Sequence, residues 1–126
     1  MAQSPYDQLG GEKRLRAIID AFVDRLFDDI MIGFFFRNAT RDRVKEFEFQ
    51  HAAEFLGANI TYEGRPLRAV HQKLHIMGGQ FARRKQILKE VLAAHNVPEP
   101  IAQAWLEHTE SLRSLITHDP GSECTP

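Results

Sequence analysis

The residues of this sequence with the clearest potential for chemistry are its histidines, because an imidazole can bind a metal ion or transfer a proton near neutral pH. The 126-residue chain has six of them, at positions 51, 71, 75, 95, 108 and 118. His71 has the most distinctive setting. Leu67 and Val70 precede it on a short segment between the loop sequence YEGRP and the pair Gly78–Gly79. Apolar neighbours keep an imidazole neutral and dry, as metal ligation requires, so His71 is a candidate metal ligand. A lone histidine in a helical protein is more often a packing or surface residue.

Two other features have weaker chemical potential. His75 follows His71 by four residues, and such a pair on one helix face could bind zinc. The same turn offers no obvious carboxylate to complete a zinc site. Cys124 is the single cysteine and lies in the tail sequence PGSECTP, so it has no partner for an intrachain disulfide. We expect the tail to take no part in the site.

Helical periodicity defines the elements that would position His71. From Glu12 to about Asp29, apolar residues recur at three- and four-residue spacing, which predicts an amphipathic helix. Further helices are predicted over 41–56, from Pro66 to about His75, after Gly78–Gly79 as far as His95, and over 98–116, and convincing strand alternation is absent. The run GFFF is too short for a helix and too apolar for an exposed loop. The chain is thus predicted to be one all-helical domain, residues 1–119, with a flexible tail, residues 120–126.

The phenylalanines suggest what could fill the space between these helices. The run GFFF is joined by Phe47, Phe49, Phe55 and Phe81 in a chain too short to bury them all in a thin helical stack. A flat apolar cofactor would fill the gap and add burial free energy, at about 25 cal/mol per Å². Packing of the phenylalanines against one another would account for some of them, but not for His71.

Composition argues against several classes of function. The formal net charge is −1 and no basic stripe is present, so nucleic acid is an unexpected partner. No apolar run approaches the roughly 20 residues of a membrane span. The N-terminal sequence MAQSPYDQLGG lacks the pattern of a signal peptide, which makes a cytoplasmic location the default expectation.

Several motifs together resemble those of the truncated haemoglobins, most closely the first group of that family. They are YDQLGG near the start, the FFF run, the loop YEGRPLRAVHQ and the late VPEP, and the likeness extends from Tyr6 to about Ile116. The resemblance implies a sandwich of two helices over two that encloses haem b. It also implies that His71 is the proximal ligand of the haem iron and that Phe36 stacks on the haem face.

The distal side departs from the family pattern. Val23, after Phe22, stands where the family typically has a hydrogen-bonding tyrosine, and Glu48 stands where it has a glutamine. Val44 lies one turn before Glu48, and Phe47 replaces a polar or basic residue that often meets the haem edge. An ionised Glu48 would only accept hydrogen bonds, whereas a protonated one, favoured by desolvation, could donate. Alternatively, Glu48 turns to solvent or pairs with a basic residue. Without a tyrosine donor we expect oxygen to be held weakly.

The remaining pocket residues carry further alternatives. His51 is on the same helix face as Glu48 and could reach the sixth coordination position of the iron if that helix shifted. Arg68 and Lys73 flank His71 and are candidates for pairing with the haem propionates, although a solvated basic face is an equal alternative. Leu67 and Phe81 are expected to line the pocket.

Three functions follow from these expectations. The first is a haem protein that binds oxygen, nitric oxide or carbon monoxide, for oxygen binding and transport or for nitric oxide detoxification with an electron-donating reductase. The second is a peroxide-using haem enzyme with Glu48 or His51 as the acid–base group. The third is a helical interaction module that has kept the fold but binds no haem.

Overall fold

The computed structural model describes residues 3–71 and 74–117. This part of the chain forms seven α-helices: α1 (Pro5–Leu9), α2 (Gly11–Asp28), α3 (Arg41–Phe55), α4 (Leu67–His71), α5 (Gly78–Ala94), α6 (Glu99–Ser111) and α7 (Arg113–Ile116). A 3₁₀ helix, Gly33–Phe36, lies between α2 and α3, and an isolated β-bridge joins Ile76 to Thr117. The predicted all-helical class is confirmed for the described residues. Lys73 and the tail, residues 120–126, lie outside them.

The structure differs from the predicted helices at both ends of the domain. Helix α1 was not predicted, although its signal is present: Ser4 caps it by accepting a hydrogen bond from the Asp7 N–H at 3.1 Å, and Pro5 occupies the first turn. The last predicted helix is divided at Leu112. The Leu112 N–H bonds to the Thr109 carbonyl three residues back, and the Ser111 hydroxyl donates to the His108 carbonyl, which together tighten and end α6.

The core forms where α2 crosses the other long helices. Helix α2 packs against α3 on one side and against α5 on the other, and α5 packs against α6. The buried face of α2 consists of Leu15, Ile18, Ile19, Phe22, Val23 and Leu26. The long helices therefore form two pairs, α2 with α3 and α5 with α6, which is the arrangement that the resemblance implied.

A buried carboxylate fixes the end of α2. Asp29 Oδ1 accepts hydrogen bonds from Nε and Nη2 of Arg83 on α5, at 3.0 and 2.8 Å. Asp29 Oδ2 accepts the backbone N–H groups of Met31 and Ile32, at 2.9 and 3.1 Å. One side chain, with only 5% of its surface exposed, thus ties α2, the following turn and α5 together.

The 3₁₀ helix begins at a residue that only glycine can occupy. A Cβ atom on Gly33 would lie 2.6 Å from the carbonyl oxygen of Phe27, a backbone atom that cannot move aside easily. This close approach turns the chain sharply after α2. It leaves Phe35 and Phe36 half-buried, with Phe36 stacked on Phe27 at 4.8 Å between ring centroids, while Phe34 remains 52% exposed.

Hydrogen bonds from α3 order the loop that leads into α4. Glu54 accepts the Tyr62 N–H at 3.2 Å, and the Gln50 side-chain oxygen accepts the Glu63 N–H at 2.9 Å. The Tyr62 hydroxyl donates to the Arg65 carbonyl at 2.9 Å. On its other side α4 packs against α7. A helix of five residues is too short to be stable alone, so these neighbours hold it in place.

No helix among the described residues has the length and apolar character needed to cross a membrane. This agrees with the lack of a long apolar run in the sequence.

The Asp29 interactions predict a pH-dependent loss of stability. Hydrogen bonds from Arg83, and then those from the Met31 and Ile32 N–H groups, hold the pKa of Asp29 below its usual value, although burial opposes them. Since the folded pKa is the lower one, this stabilisation is present above about pH 4 and is lost as the pH falls through the folded value. Asp29→Asn should lower the melting temperature by roughly 4–8 °C at pH 7 and by progressively less below about pH 4.

Asp28→Asn is the matched control, because the Asp28 side chain is 71% exposed and meets Arg41 at the surface. Thermal unfolding followed by circular dichroism at several pH values measures both variants. Equal, pH-independent effects of the two substitutions would contradict a structural role of the Asp29 carboxylate.

Candidate functional site

A cavity of about 690 Å³ lies between α3, α4 and α5. Its size falls within the range of roughly 300–1,000 Å³ that is typical of ligand pockets. The walls combine apolar side chains with a few polar ones. Eight residues predicted for the site line the cavity: Phe36, Val44, Phe47, Glu48, His51, Leu67, His71 and Phe81. Further apolar walls come from Ile32, Phe35, Leu74, Ile76 and Ile116.

His71 is held with one nitrogen committed to the backbone. Its Nδ1 lies 2.7 Å from the carbonyl oxygen of Leu67, one turn earlier in α4. A carbonyl can only accept, so Nδ1 carries the proton and Nε2 keeps its lone pair. Burial lowers the pKa of His71, while the Leu67 carbonyl works in the opposite direction. The imidazole is therefore neutral at physiological pH, as a metal ligand must be.

Three predicted site residues that the structure describes do not appear on the cavity wall. Phe22 and Val23 are enclosed in the core with 1% and 0% of their surface exposed, because this face of α2 packs against α3 and α5. Phe22 lies directly behind the wall, since the guanidinium of Arg84 covers its ring at 5.0 Å. Arg68 is exposed on α4, away from the cavity. Lys73 is outside the described residues.

Glu48 is paired with a cation that the sequence did not single out. Arg84 Nη2 donates to both carboxylate oxygens of Glu48, at 3.1 and 3.2 Å, and both residues line the cavity. The arrangement agrees with the alternative in which Glu48 pairs with a basic residue. Arg84 is also a hydrogen-bond donor, which the expectation of weakly held oxygen did not take into account.

His51 belongs to a series of aromatic contacts that connects the cavity wall with α6. Its ring meets Tyr62 edge-on at 5.5 Å and stacks on His108 at 5.6 Å, and His108 stacks on Phe55 at 4.1 Å. Burial lowers the pKa of His108, and the charge of His51 lowers it further. Nε2 of His108 is buried with no hydrogen-bond partner among the described residues. His51 is thus packed between two rings, and ligation of iron by it stays a prediction.

Besides Arg84, two further arginines on the cavity wall were missed by sequence reasoning. Arg43 lies one turn before Phe47 on α3, with its guanidinium 5.3 Å from the centre of that ring. Arg65 lines the cavity from the loop before α4. Both could pair with carboxylates of a cofactor. The signal for Arg65 was present in the loop sequence YEGRP, which leads directly into the helix that carries His71.

The zinc alternative has no geometric support. Helix α4 ends at His71, and His75 is exposed beyond it with a backbone φ of 53°, so the two residues do not share a helix face. Within residues 3–71 and 74–117 there is no group of three or more His, Cys, Asp or Glu side chains that could hold a metal ion.

Comparison with known proteins connects this geometry to a family. The model of the bacterial-like globin family matches residues 4–118. A group 1 truncated haemoglobin from Mycolicibacterium paratuberculosis is 30% identical over 95 residues, which is 75% of this chain and 70% of the relative. A group 1 truncated haemoglobin from Tetrahymena pyriformis is 24% identical over 110 residues, or 85% of this chain and 91% of that protein.

Solved structures agree at the level of the fold. The Tetrahymena pyriformis truncated haemoglobin in its Fe(III) form superposes with a TM-score of 0.84 at 21% identity, covering 91% of this chain and 98% of that one. The group II truncated haemoglobin from Bacillus anthracis gives a TM-score of 0.84 at 17% identity, covering 94% of each chain. Because the family model spans nearly the whole chain and the group 1 relative covers most of it, this chain belongs to the bacterial-like globin family and is a truncated haemoglobin.

Proposed function

We propose that this chain binds haem b, that Nε2 of His71 would hold the iron, and that the bound group would take up a diatomic gas. The observation that carries the proposal is the neutral His71 imidazole on the wall of an apolar cavity, with Nδ1 committed to the Leu67 carbonyl. That hydrogen bond leaves Nε2 as the ligating nitrogen and increases its basicity.

The residues around the cavity suit a flat amphipathic cofactor. Phe36, Val44, Phe47, Leu67 and Phe81 supply apolar and aromatic surface for a porphyrin. Arg43 and Arg65 supply charges for its propionates, in place of the predicted Arg68, which is not on the cavity wall. Haem supplies an iron at which a small gas molecule can bind; the protein fixes its orientation and excludes water.

Binding of oxygen, nitric oxide or carbon monoxide is the activity that this arrangement supports best. For turnover, as in nitric oxide detoxification, the iron must be re-reduced, so we propose an electron-donating reductase as the partner. A cytoplasmic location stays the expectation from the sequence.

The peroxide-using alternative has less support from the geometry. A general acid must be free to transfer a proton, whereas the Glu48 side chain is held in an ion pair with Arg84. His51, the second candidate, is packed against Tyr62 and His108.

Removal of the His71 imidazole tests the iron ligand. His71→Gly should abolish haem uptake, or leave haem weakly held until free imidazole is added, because the variant lacks the nitrogen that is proposed to bind the iron. Absorption spectra of protein purified with added haem, in ferric, ferrous and carbon monoxide-bound forms, measure this. His75→Gly is the matched control. An unchanged spectrum of His71→Gly without imidazole would show that another residue binds the iron.

The cavity arginines provide a second test, aimed at the propionates. Arg43→Gln and Arg65→Gln should each speed the loss of haem to an acceptor protein roughly twofold to fivefold, as expected for partly exposed ion pairs. Arg68→Gln is the control, since Arg68 is exposed and off the wall. If only Arg68→Gln speeds haem loss, the propionates lie where the sequence first suggested.

A further inference from the structure

Arg84 is an unusual residue to find on the wall of a largely apolar cavity. Helix α5 carries it there, the Phe22 ring supports its guanidinium from behind at 5.0 Å, and Glu48 binds it from α3. The side chains of Arg84 and Glu48 are only 24% and 29% exposed, so solvent and salt screen this pair less than a surface pair.

The guanidinium of Arg84 has more hydrogen-bond donors than Glu48 uses. It carries five N–H groups, and the hydrogen bonds that it makes to described residues all run from Nη2 to Glu48. In that part of the chain the N–H groups of Nε and Nη1 have no protein acceptor. A cation with unused donors beside a cavity can form charge-assisted hydrogen bonds to an anion that enters it.

Arg84 and Glu48 share the cavity with the proposed iron ligand, because the side chains of Glu48, His71 and Arg84 all line its wall. A ligand that enters this cavity would therefore experience the charges of both Arg84 and Glu48.

We propose that Arg84 selects the ligand: its guanidinium favours small inorganic anions over neutral molecules at the haem of this protein, and Glu48 limits that preference by competing for the same cation. The inference rests on the proposed function and specifies its ligand class. A hydrogen bond to a charged group is stronger than one between neutral groups, which is why a fixed cation discriminates by ligand charge.

The two partners should then have opposite effects on anion binding. Loss of Arg84 removes the cation and leaves the carboxylate, which repels an anion. Loss of the Glu48 charge frees the guanidinium. A purely structural ion pair predicts no such reversal, since breaking it from either side would disturb the pocket in a similar way.

Fluoride titration of the ferric haem-loaded protein, followed by absorption, tests this. Arg84→Gln should weaken fluoride binding roughly tenfold to a hundredfold, the value of one hydrogen bond to a charged group. Glu48→Gln should strengthen it. The affinity of the ferrous protein for carbon monoxide, a neutral ligand, should change by less than about threefold in both variants. Nitrite, titrated in the same way, should follow fluoride.

Lys85→Gln is the matched control, because it removes one positive charge from the next position of α5, where Lys85 pairs with Glu110 away from the cavity. Its fluoride affinity should equal that of the wild type. Haem content and melting temperature of every variant separate a binding effect from unfolding. Unchanged or equally weakened fluoride binding in Arg84→Gln and Glu48→Gln, with intact haem and carbon monoxide binding, would overturn this inference alone. A wild-type protein that takes up no haem would overturn the proposed function as well.

Discussion

The hydrogen bond from Nδ1 of His71 to the Leu67 carbonyl is the interaction on which the site depends. It sets the tautomer of His71 and limits rotation of the ring. One contact therefore leaves the lone pair of Nε2 free and also fixes the orientation of the imidazole. A helix of five residues cannot provide that rigidity by its own backbone ladder. The loop anchored on Gln50 and Glu54, together with α7 on the other side, supplies it.

Between α3 and α5 the cavity wall carries an ion pair, in which the Arg84 guanidinium binds the Glu48 carboxylate, whereas Val23 is buried in the core. Fixed opposite charges in a half-buried setting create a local field without a net charge. Such a pair interacts with the charge of a molecule that enters the cavity, whereas a valine side chain has no charge with which to do so.

The sequence predicted much of this, and the limits have physical causes. Periodicity identified α2, α3 and α5 within one or two residues because long amphipathic helices repeat their pattern over several turns. Resemblance identified the cavity side chains on α3 and α4, since their spacing from the loop is short and fixed. Arg84 could not be identified in this way. The run ARRK has three consecutive cations, which is typical of a solvent-exposed helix surface, and only the tertiary structure shows which of them lines the cavity. The short helix α1 was missed because five residues offer too little periodicity, although Ser4 and Pro5 are typical of a helix N-terminus.

Arg83 and Arg84 are neighbours on α5, so their side chains leave the helix about 100° apart around its axis. Arg83 is clamped by Asp29 at the end of α2, and Arg84 reaches the cavity. The rotation of α5 about its axis is thus fixed by the Arg83–Asp29 ion pair, which does not line the cavity. The direction in which the Arg84 guanidinium points therefore depends on how Arg83 is bound. Substitutions at positions 29 or 83 would therefore change the position of the Arg84 charge in the cavity, although every residue that lines the cavity stays the same.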